Sequence, residues 1–262
     1  MTILSFFSNI SFNRKNIRYI FIIVALYLFF LIINLPANIS LSVINLPKSI
    51  SISSVSGTVW SGKAKKLSYS GIELGAVSWE LHPINLFIGE ISVDISLVND
   101  KQYITTLANV SPSGKIELEE TRFLIDLSSL QPLTYGMPFS YAGIASGYFP
   151  VSFFKKNEYV GINGKLSLSG MSMISPQHQS FGDFIINFRA ENEGATSGQI
   201  KDNGGQLNID GRLSINKIGQ FNVSAMLAAR ESGSSLERAL SFLGRKDSSG
   251  RYQLNYNLKL WN

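Results

Sequence analysis

The sequence predicts a mostly β protein: one N-terminal transmembrane helix followed by an antiparallel, curved β-sheet body with one or two short helices. Three observations predict it. An uncharged apolar run extends from Tyr19 to Leu35 (YIFIIVALYLFFLIINL). Nearly everything after it alternates apolar and polar residues with period two. Gly, Asn and Asp pairs break that alternation about every ten residues, the spacing of a β sandwich, barrel or long meander.

The apolar run is 17 residues long, with Asn34 its only strongly polar member. A hydrocarbon core takes about 17–25 residues to span. Pro36, which lacks an N–H and restricts the residue before it, ends the helix. Arg14, Lys15 and Arg18 stand just before the run, and basic flanks stay cytoplasmic. Tyr19 sits where an interfacial ring would. These features divide the chain into a cytoplasmic tail (1–18), a transmembrane helix (19–36) and a periplasmic β-rich domain (38–262), single-pass in a bacterial inner membrane. The rival is a cleaved signal peptide. Its apolar region is about 7–15 residues and ends in small residues. Ala37 suits such a cut, but Leu35 two positions earlier does not.

Composition agrees with an exported body. The chain has no Cys, which excludes a disulfide framework, thiolate zinc and a cysteine nucleophile. Setting aside the three flanking cations, the 23 basic residues become 20 against 18 acidic ones. The basic pI is therefore partly the topology signal, and no clustered stripe points to nucleic acid. Lys63-Lys65-Lys66, Lys155-Lys156 and Arg245-Lys246 are short clusters that read as solvated turns and strand ends, with an anionic lipid headgroup the lesser reading.

The alternating segments are Ile50–Val55, Ile91–Leu97, Ile116–Leu118, Phe123–Leu127, Lys165–Ser169, Phe184–Phe188, Gln206–Asp210, Leu213–Ile215 and Tyr252–Leu260. Alternation sends apolar groups to one face and Ser, Asn or charge to the other, giving a sheet with one dry and one wet face. Asn99-Asp100, Ser113-Gly114, Asn163-Gly164, Asn203-Gly204-Gly205 and Ser249-Gly250 are predicted turns where positive φ is easy. Three stretches (57–62, 164–170 and 205–211) echo one another as glycine, strand, glycine, which suits a sheet built from similar hairpins. The clearest helix is Ser234 to Leu243. Ser234 and Glu237 form a capping box, Leu236, Ala239, Leu240 and Leu243 an apolar stripe, and Gly244 a left-handed stop. A weaker turn is predicted over Leu127–Leu133. Pro138 to Pro150 reads either as an unusually apolar strand or as a loop.

Catalytic signals are weak. His82 and His178 lack the neighbours of a metal site. There is no P-loop, G-x-G-x-x-G or G-x-S-x-G. Ser152 to Lys155 and Ser214 to Lys217 have the S-x-x-K spacing of periplasmic acyl-enzymes, but fall in strand or turn sequence without S-D-N or K-T-G partners. Glu117, Glu119 and Glu120 resemble an acid cluster, yet Glu117 and Glu119 share one strand face, most simply the wet one. The sequence therefore assigns no catalytic, cofactor or metal residue and predicts a non-enzymatic protein.

What remains is a constellation. Val55-Ser-Gly-Thr-Val-Trp-Ser-Gly-Lys-Ala64 is followed by Leu74-Gly-Ala-Val-Ser-Trp-Glu-Leu-His-Pro-Ile-Asn-Leu-Phe-Ile-Gly89. This resembles the G-T-[apolar]-W-x-G-x-A … W-x-[apolar]-x-P-x-x-L-x-x-G opening of the type II secretion system protein N family. Gly198–Gly211 resembles that family's glycine-rich hairpin, and Leu243–Tyr256 its L-G … D-x-x-G-R-[apolar] ending. The stretch 99–160 carries no matching motif. On their own physics these residues are scaffold. Gly57 and Gly62 bracket a strand whose Trp60 pins the sheet to its neighbour or to the membrane interface, with Trp79, two strands on, facing it. Pro83 ends its strand, and Asp247 and Arg251 straddle a turn and pair.

The resemblance implies an inner-membrane accessory or assembly component of the apparatus that moves folded proteins from the periplasm across the outer membrane. Its partners would be other inner-membrane platform proteins of the type II system and the membrane itself through the N-terminal helix. No nucleic acid and no cofactor are implied. A looser resemblance, to AsmA-like envelope proteins, implies instead a lipid-handling groove on the apolar face.

Overall fold

A computed structural model of the chain describes residues 14–43, 47–100, 102–134, 140–155, 158–175, 177–191 and 194–260. Two helices, α1 (Arg14–Ile33) and α2 (Ala37–Val43), precede the strands β1 (Ile50–Gly57), β2 (Ser61–Tyr69), β3 (Ile72–Leu81), β4 (Ile91–Asn99), β5 (Gln102–Val110), β6 (Ile116–Asp126), β7 (Ser140–Lys155), β8 (Tyr159–Ser175), β9 (Gln179–Glu191), β10 (Ala195–Asp202), β11 (Leu207–Ile215), β12 (Gln220–Ala229) and β13 (Tyr252–Lys259). The 3-10 helices η1 (Pro83–Ile88) and η2 (Leu127–Thr134) join β3 to β4 and β6 to β7, and α3 (Ser235–Leu240) lies between β12 and β13. All 13 strands form one antiparallel sheet in sequence order, each paired with its chain neighbours. The protein is thus mostly β, one curved sheet with a few short helices.

The ladders keep the alternation in register from edge to edge. Val55, Ala64, Val77, Leu97, Ile104, Phe123, Gly147, Leu166, Ile186, Ile200, Gly211, Ala225 and Leu254 stand opposite one another in turn, an apolar row across the whole sheet. The adjacent row runs Ser56, Lys63, Ser78, Ser96, Thr105, Arg122, Tyr148, Lys165, Asn187, Gln199, Arg212, Ser224 and Asn255, and points to the other face. Of the glycines in the apolar row, Gly147 makes room for large neighbours. A Cβ on Gly147 would meet the rings of Phe123 and Phe149, which stack at 5.9 Å.

Pro150 sits inside the central strand β7, where a proline removes a ladder hydrogen bond. The ladders are broken beside it on both sides. Glu119 and Thr121 pair with Val151 and Phe149, leaving Glu120 opposite Pro150 in register but unpaired, while the β8 register shifts between Tyr148 and Val151 and the β5 register shifts opposite Glu120. Glu120 takes a left-handed φ of 50° there. Pro138 to Pro150 thus resolves as strand from Ser140 onward, with Pro138 and Phe139 outside the described residues. Asn163-Gly164, predicted as a turn, lies within β8 at this irregularity. Past Gly164, β8 and β9 part. Thr196 of β10 closes the breach, its Oγ1 donating to Val160 O at 2.9 Å and accepting from Ile162 N at 3.0 Å.

Cover for the apolar face is local. Leu236 and Leu240 of α3 are buried against Ala225, Leu227 and Tyr252, with Phe181, Leu207 and Ile209 at the margin. The helix is shorter and its stripe narrower than predicted: Ala239, Phe242 and Leu243 are exposed, and Ser241–Leu243 tighten into a 3-10 turn. Ser234 accepts from Glu237 N, as the capping box requires, while the Glu237 carboxylate reaches the Gly233 N–H. Gly244 ends the helix at φ 130°, ψ −151°, outside the left-handed helical region predicted for it but still in territory only glycine enters freely. η2 rests on β7 and touches β3 and β6, in line with the weak turn predicted at Leu127. α2 lies against β1.

α1 ends before Asn34 and Leu35, so its apolar part runs only from Tyr19 to Ile33, and its side chains from Ile17 onward are exposed. Among the described residues no helix is long and apolar enough to cross a membrane. The predicted span is therefore not shown by the fold, and residues 1–13 of the predicted cytoplasmic tail lie outside the described residues.

The α3 clasp carries a pH signature. Its hydrogen bond to Lys246, then the Gly233 N–H, holds the Glu237 carboxyl below the usual carboxylate range, and Glu237 raises the Lys246 ammonium in turn. The stabilisation from Glu237 is complete above its unfolded pKa and is lost as pH falls through the lowered folded value. That from Lys246 is complete below its unfolded pKa and is lost as pH rises through the raised folded value. In urea unfolding of the purified chain, Glu237→Gln should be less stable than the parent at neutral pH. The two should converge as pH drops below the folded pKa of Glu237. Parallel curves at all pH values would show that the pair contributes nothing.

Candidate functional site

The turn between β1 and β2 is tightly constrained. Gly57 has φ 91°, and a Cβ there would strike the Ser61 carbonyl and Gly62. A Cβ on Gly62 would strike the Trp79 ring. The glycines predicted to bracket a strand bracket this turn instead, and Trp60 lies in the turn itself. From it the Trp60 indole N–H donates to Ile32 O, in the last turn of α1, at 2.8 Å. That carbonyl, among the last four of the helix, also accepts from Leu35 N at 3.2 Å, so Trp60 adds a side-chain bond to the cap of α1. Val59 N donates to Leu35 O at 3.0 Å, and Pro36 bridges to Thr58. The Trp79 indole donates to Val59 O at 3.1 Å from β3. Both tryptophans thus secure one turn, and the turn holds the end of the apolar helix.

The same end of the sheet carries η1. Leu81 N, just before it, donates to Trp60 O at 2.6 Å, and His82 N to Ser92 O at 2.9 Å. Inside η1 the polar residue turns inward: Asn85 Nδ2 donates to Ser92 Oγ at 2.6 Å. The apolar residues turn outward, with Ile84 78%, Phe87 91% and Ile88 73% exposed. Sequence reasoning quoted this segment as P-x-x-L-x-x-G but missed its exposure. The available signal was Ile-Asn-Leu-Phe-Ile after Pro83, an apolar cluster without alternation, bounded by Pro and Gly.

The residues screened for chemistry are dispersed. His82 Nε2 lies 2.7 Å from Asp94 Oδ2 on an exposed surface, and His178 is exposed in the β8–β9 connection. Glu117 pairs with Lys115 at 2.6 Å, Glu119 accepts from Asn109 at 2.7 Å, and Glu120 takes Tyr148 Oη at 2.9 Å and Arg122 at 3.1 Å. The three glutamates therefore share no proton and converge on no point. Ser152 and Lys155 both lie on β7, where an i, i+3 pair points to opposite faces, and Ser214 and Lys217 straddle a strand end. Among the described residues no His, Asp and Glu group has metal-binding geometry. Asp247 and Arg251 do straddle a turn, 3.8 Å apart, and Asp247 also accepts from the N–H groups of Ser249 and Arg251. A hollow of about 850 Å³ lies against β1–β6, with Lys63, Glu80, Asp94, Glu120 and Arg122 in its lining.

The two edges of the sheet differ. Among the described residues neither β1 nor β13 pairs with a further strand, and α2 lies against β1. Lys259 is the single charge on β13, and Tyr256 and Leu258 are about half exposed. Leu260 N donates to Gly219 O, and the β12–β13 register has no shift. The even residues of β13 therefore bond to β12, and the N–H groups of Gln253, Asn255, Asn257 and Lys259 point away from the sheet.

Compared with known proteins, the chain matches the sequence model of the family "Type II secretion system (T2SS), protein N" over residues 48–255, which include the turn, both tryptophans and η1. It is 24% identical over 232 residues to a protein of Vibrio cholerae serotype O1 described as "Type II secretion system protein N", covering 86% of this chain and 90% of that one. No solved structure matches the chain.

The turn sets two stability expectations, both readable by urea unfolding. Trp60→Phe keeps a ring but removes the side-chain bond to Ile32 O and should cost about 1 kcal/mol. Gly62→Ala drives a methyl group into the Trp79 ring and should cost about 1–3 kcal/mol. Unchanged stability in both would mean that the turn does not hold the helix.

Proposed function

The chain belongs to the type II secretion system protein N family, and from this premise we propose that it is an inner-membrane-anchored accessory or assembly component of the type II apparatus that acts through protein contacts in the periplasm. Family membership makes it a component of the secretion machinery and not of a known enzyme family. The finer statements rest on physics. α1 is 20 residues long, about 30 Å at 1.5 Å per residue, and its apolar surface is exposed. An apolar stretch somewhat shorter than the hydrocarbon core is accommodated by local thinning and by snorkelling of flanking cations, and Arg14, Lys15 and Arg18 stand at that flank. Those cations favour a cytoplasmic N-terminus and a periplasmic sheet.

The observation that carries the contact is the free edge at β13. Edge strands without proline, bulge or inward charge are templates for another strand. Strand addition takes affinity from main-chain hydrogen bonds and specificity from alternate side chains. The partner proposed is a platform protein of the same apparatus, docking its own edge strand on Gln253, Asn255, Asn257 and Lys259.

A second reading is favoured by a different observation. The apolar row from Val55 to Leu254 crosses every strand, and α3 buries only its β11–β13 end. Such a face also suits acyl chains, as in a lipid-handling envelope protein.

Two experiments separate the readings. Asn257→Pro removes an outward N–H while sparing the β12 ladder. It should reduce export of type II cargo severalfold with envelope permeability and far-ultraviolet circular dichroism unchanged, and normal export would overturn docking at β13. Leu166→Asp with Leu168→Asp places charge on the apolar face. In the lipid reading the doubly substituted protein stays folded, loses co-purifying acyl chains by mass spectrometry and raises detergent sensitivity without a secretion defect. Acyl chains absent from the parent protein would remove that reading.

A further inference from the structure

We infer that η1 is a second membrane contact, with Ile84, Phe87 and Ile88 set into the headgroup–acyl boundary beside the point where α1 leaves the bilayer. This rests on the anchored reading of α1. Exposed apolar clusters mark either a protein or a membrane partner, and three observations favour the membrane.

The first is position. η1 and the β1–β2 turn share one end of the sheet, and β2 and β3 separate them by about 10 Å at 4.8 Å per strand. They are also bonded: the Trp60 side chain holds Ile32 of α1, and the Trp60 carbonyl holds Leu81, two residues before Pro83. A sheet fixed to the end of a spanning helix must bring η1 close to the same surface.

The second is the inverted polarity. A 3-10 helix places i and i+3 on one face, so Ile84 and Phe87 project together while Asn85 is turned back to Ser92. For a loop in water the reverse arrangement is favoured. An aromatic and two branched aliphatics pointing outward suit burial about 5–10 Å into an interface.

The third is rigidity. Asn85 N bonds His82 O at 3.2 Å, Gly89 N bonds Leu86 O at 3.0 Å with Gly89 in the left-handed conformation, and Glu90 N bonds Asn85 O at 3.0 Å. The apolar side chains are thus presented from a fixed frame and need not be ordered on contact. With α1 as one point of attachment and η1 as the other, the sheet is held at a set tilt to the membrane and cannot swivel freely about a single helix.

The chain has no cysteine, so single-cysteine labelling needs no background removal. The full chain is reconstituted into phosphatidylethanolamine–phosphatidylglycerol vesicles. An environment-sensitive fluorophore is placed at Phe87→Cys, and at Ile84→Cys as an independent reading of the same face. Phe242→Cys, 90% exposed at the opposite end of the sheet, is the water reference, and Phe29→Cys in α1 reports the anchor. Positions 84 and 87 should emit to the blue of position 242 and be quenched severalfold more by lipids carrying a nitroxide near the headgroup. Position 29 should be quenched most by a nitroxide in the acyl chain. If 84 and 87 behave like 242 while 29 is quenched, the anchor stands and the η1 contact is overturned. If neither 29 nor 87 is quenched, both are overturned. Quenching at 84 and 87 without 29 keeps the η1 contact and removes the anchor.

Discussion

Everything in this molecule hangs on a two-residue period kept in phase across twelve ladders. A slip of one residue in any of them would carry all later apolar side chains to the polar face. No slip accumulates. The row that begins at Val55 and ends at Leu254 contains no polar side chain, and the row that begins at Ser56 and ends at Asn255 contains no aliphatic one. Irregularities are confined to a few ladders, and there the phase is restored. Pro150 lacks a ladder N–H, and on the β8 side Phe149 and Pro150 together stand opposite the single residue Gly164. Turn glycines do similar service at the margins. Gly182 of β9 meets Gly204 and Gly205 of the β10–β11 hairpin backbone to backbone, where any Cβ would separate the segments.

A sheet of this width with so little second layer distributes its stability unevenly. The one cluster of fully buried side chains lies under α3, at the β11–β13 end. Elsewhere the apolar row is mostly half-buried, and cohesion comes from ladder hydrogen bonds and contacts between neighbouring strands. The opposite end of the order is secured differently, by the indoles of Trp60 and Trp79 around one turn. Polar cross-links supplement the α3 end: Asn208 and Arg230 converge on Asp202, and Gln179 joins Gln206 to Ser235.

Much of the fold was legible in the sequence because alternation is a local property. The β class, the turns at Asp100, Gly114, Gly204 and Gly250 and the capping box at Ser234 followed from residues within ten positions of one another, and the family from a few short motifs of the same local kind. What failed needed knowledge of a neighbour. Asn163-Gly164 looks like a turn, but Gly164 lies inside β8 opposite the extra residue that β7 carries at Phe149-Pro150. Ile116–Leu118 and Phe123–Leu127 look like separate segments, yet they are one strand, β6, bent at Glu120. The role of Trp60 depends on α1, 28 residues away. The outward apolar face of η1 and the free edge of β13 belong to the folded surface, and no periodicity encodes them.

The strand order has a kinetic corollary. Every strand pairs only with its neighbours in the chain, so most pairings close a short loop, the longest connection being the 22 residues between β12 and β13, and the entropic cost of closure grows only slowly with such length. Contacts this local favour fast assembly by successive addition over a search for distant partners. A chain emerging with its N-terminus first can lay down each strand on the one before it, and at every stage the unfinished protein differs from the finished one mainly in where its open edge stands. The last strand, β13, inherits that edge permanently.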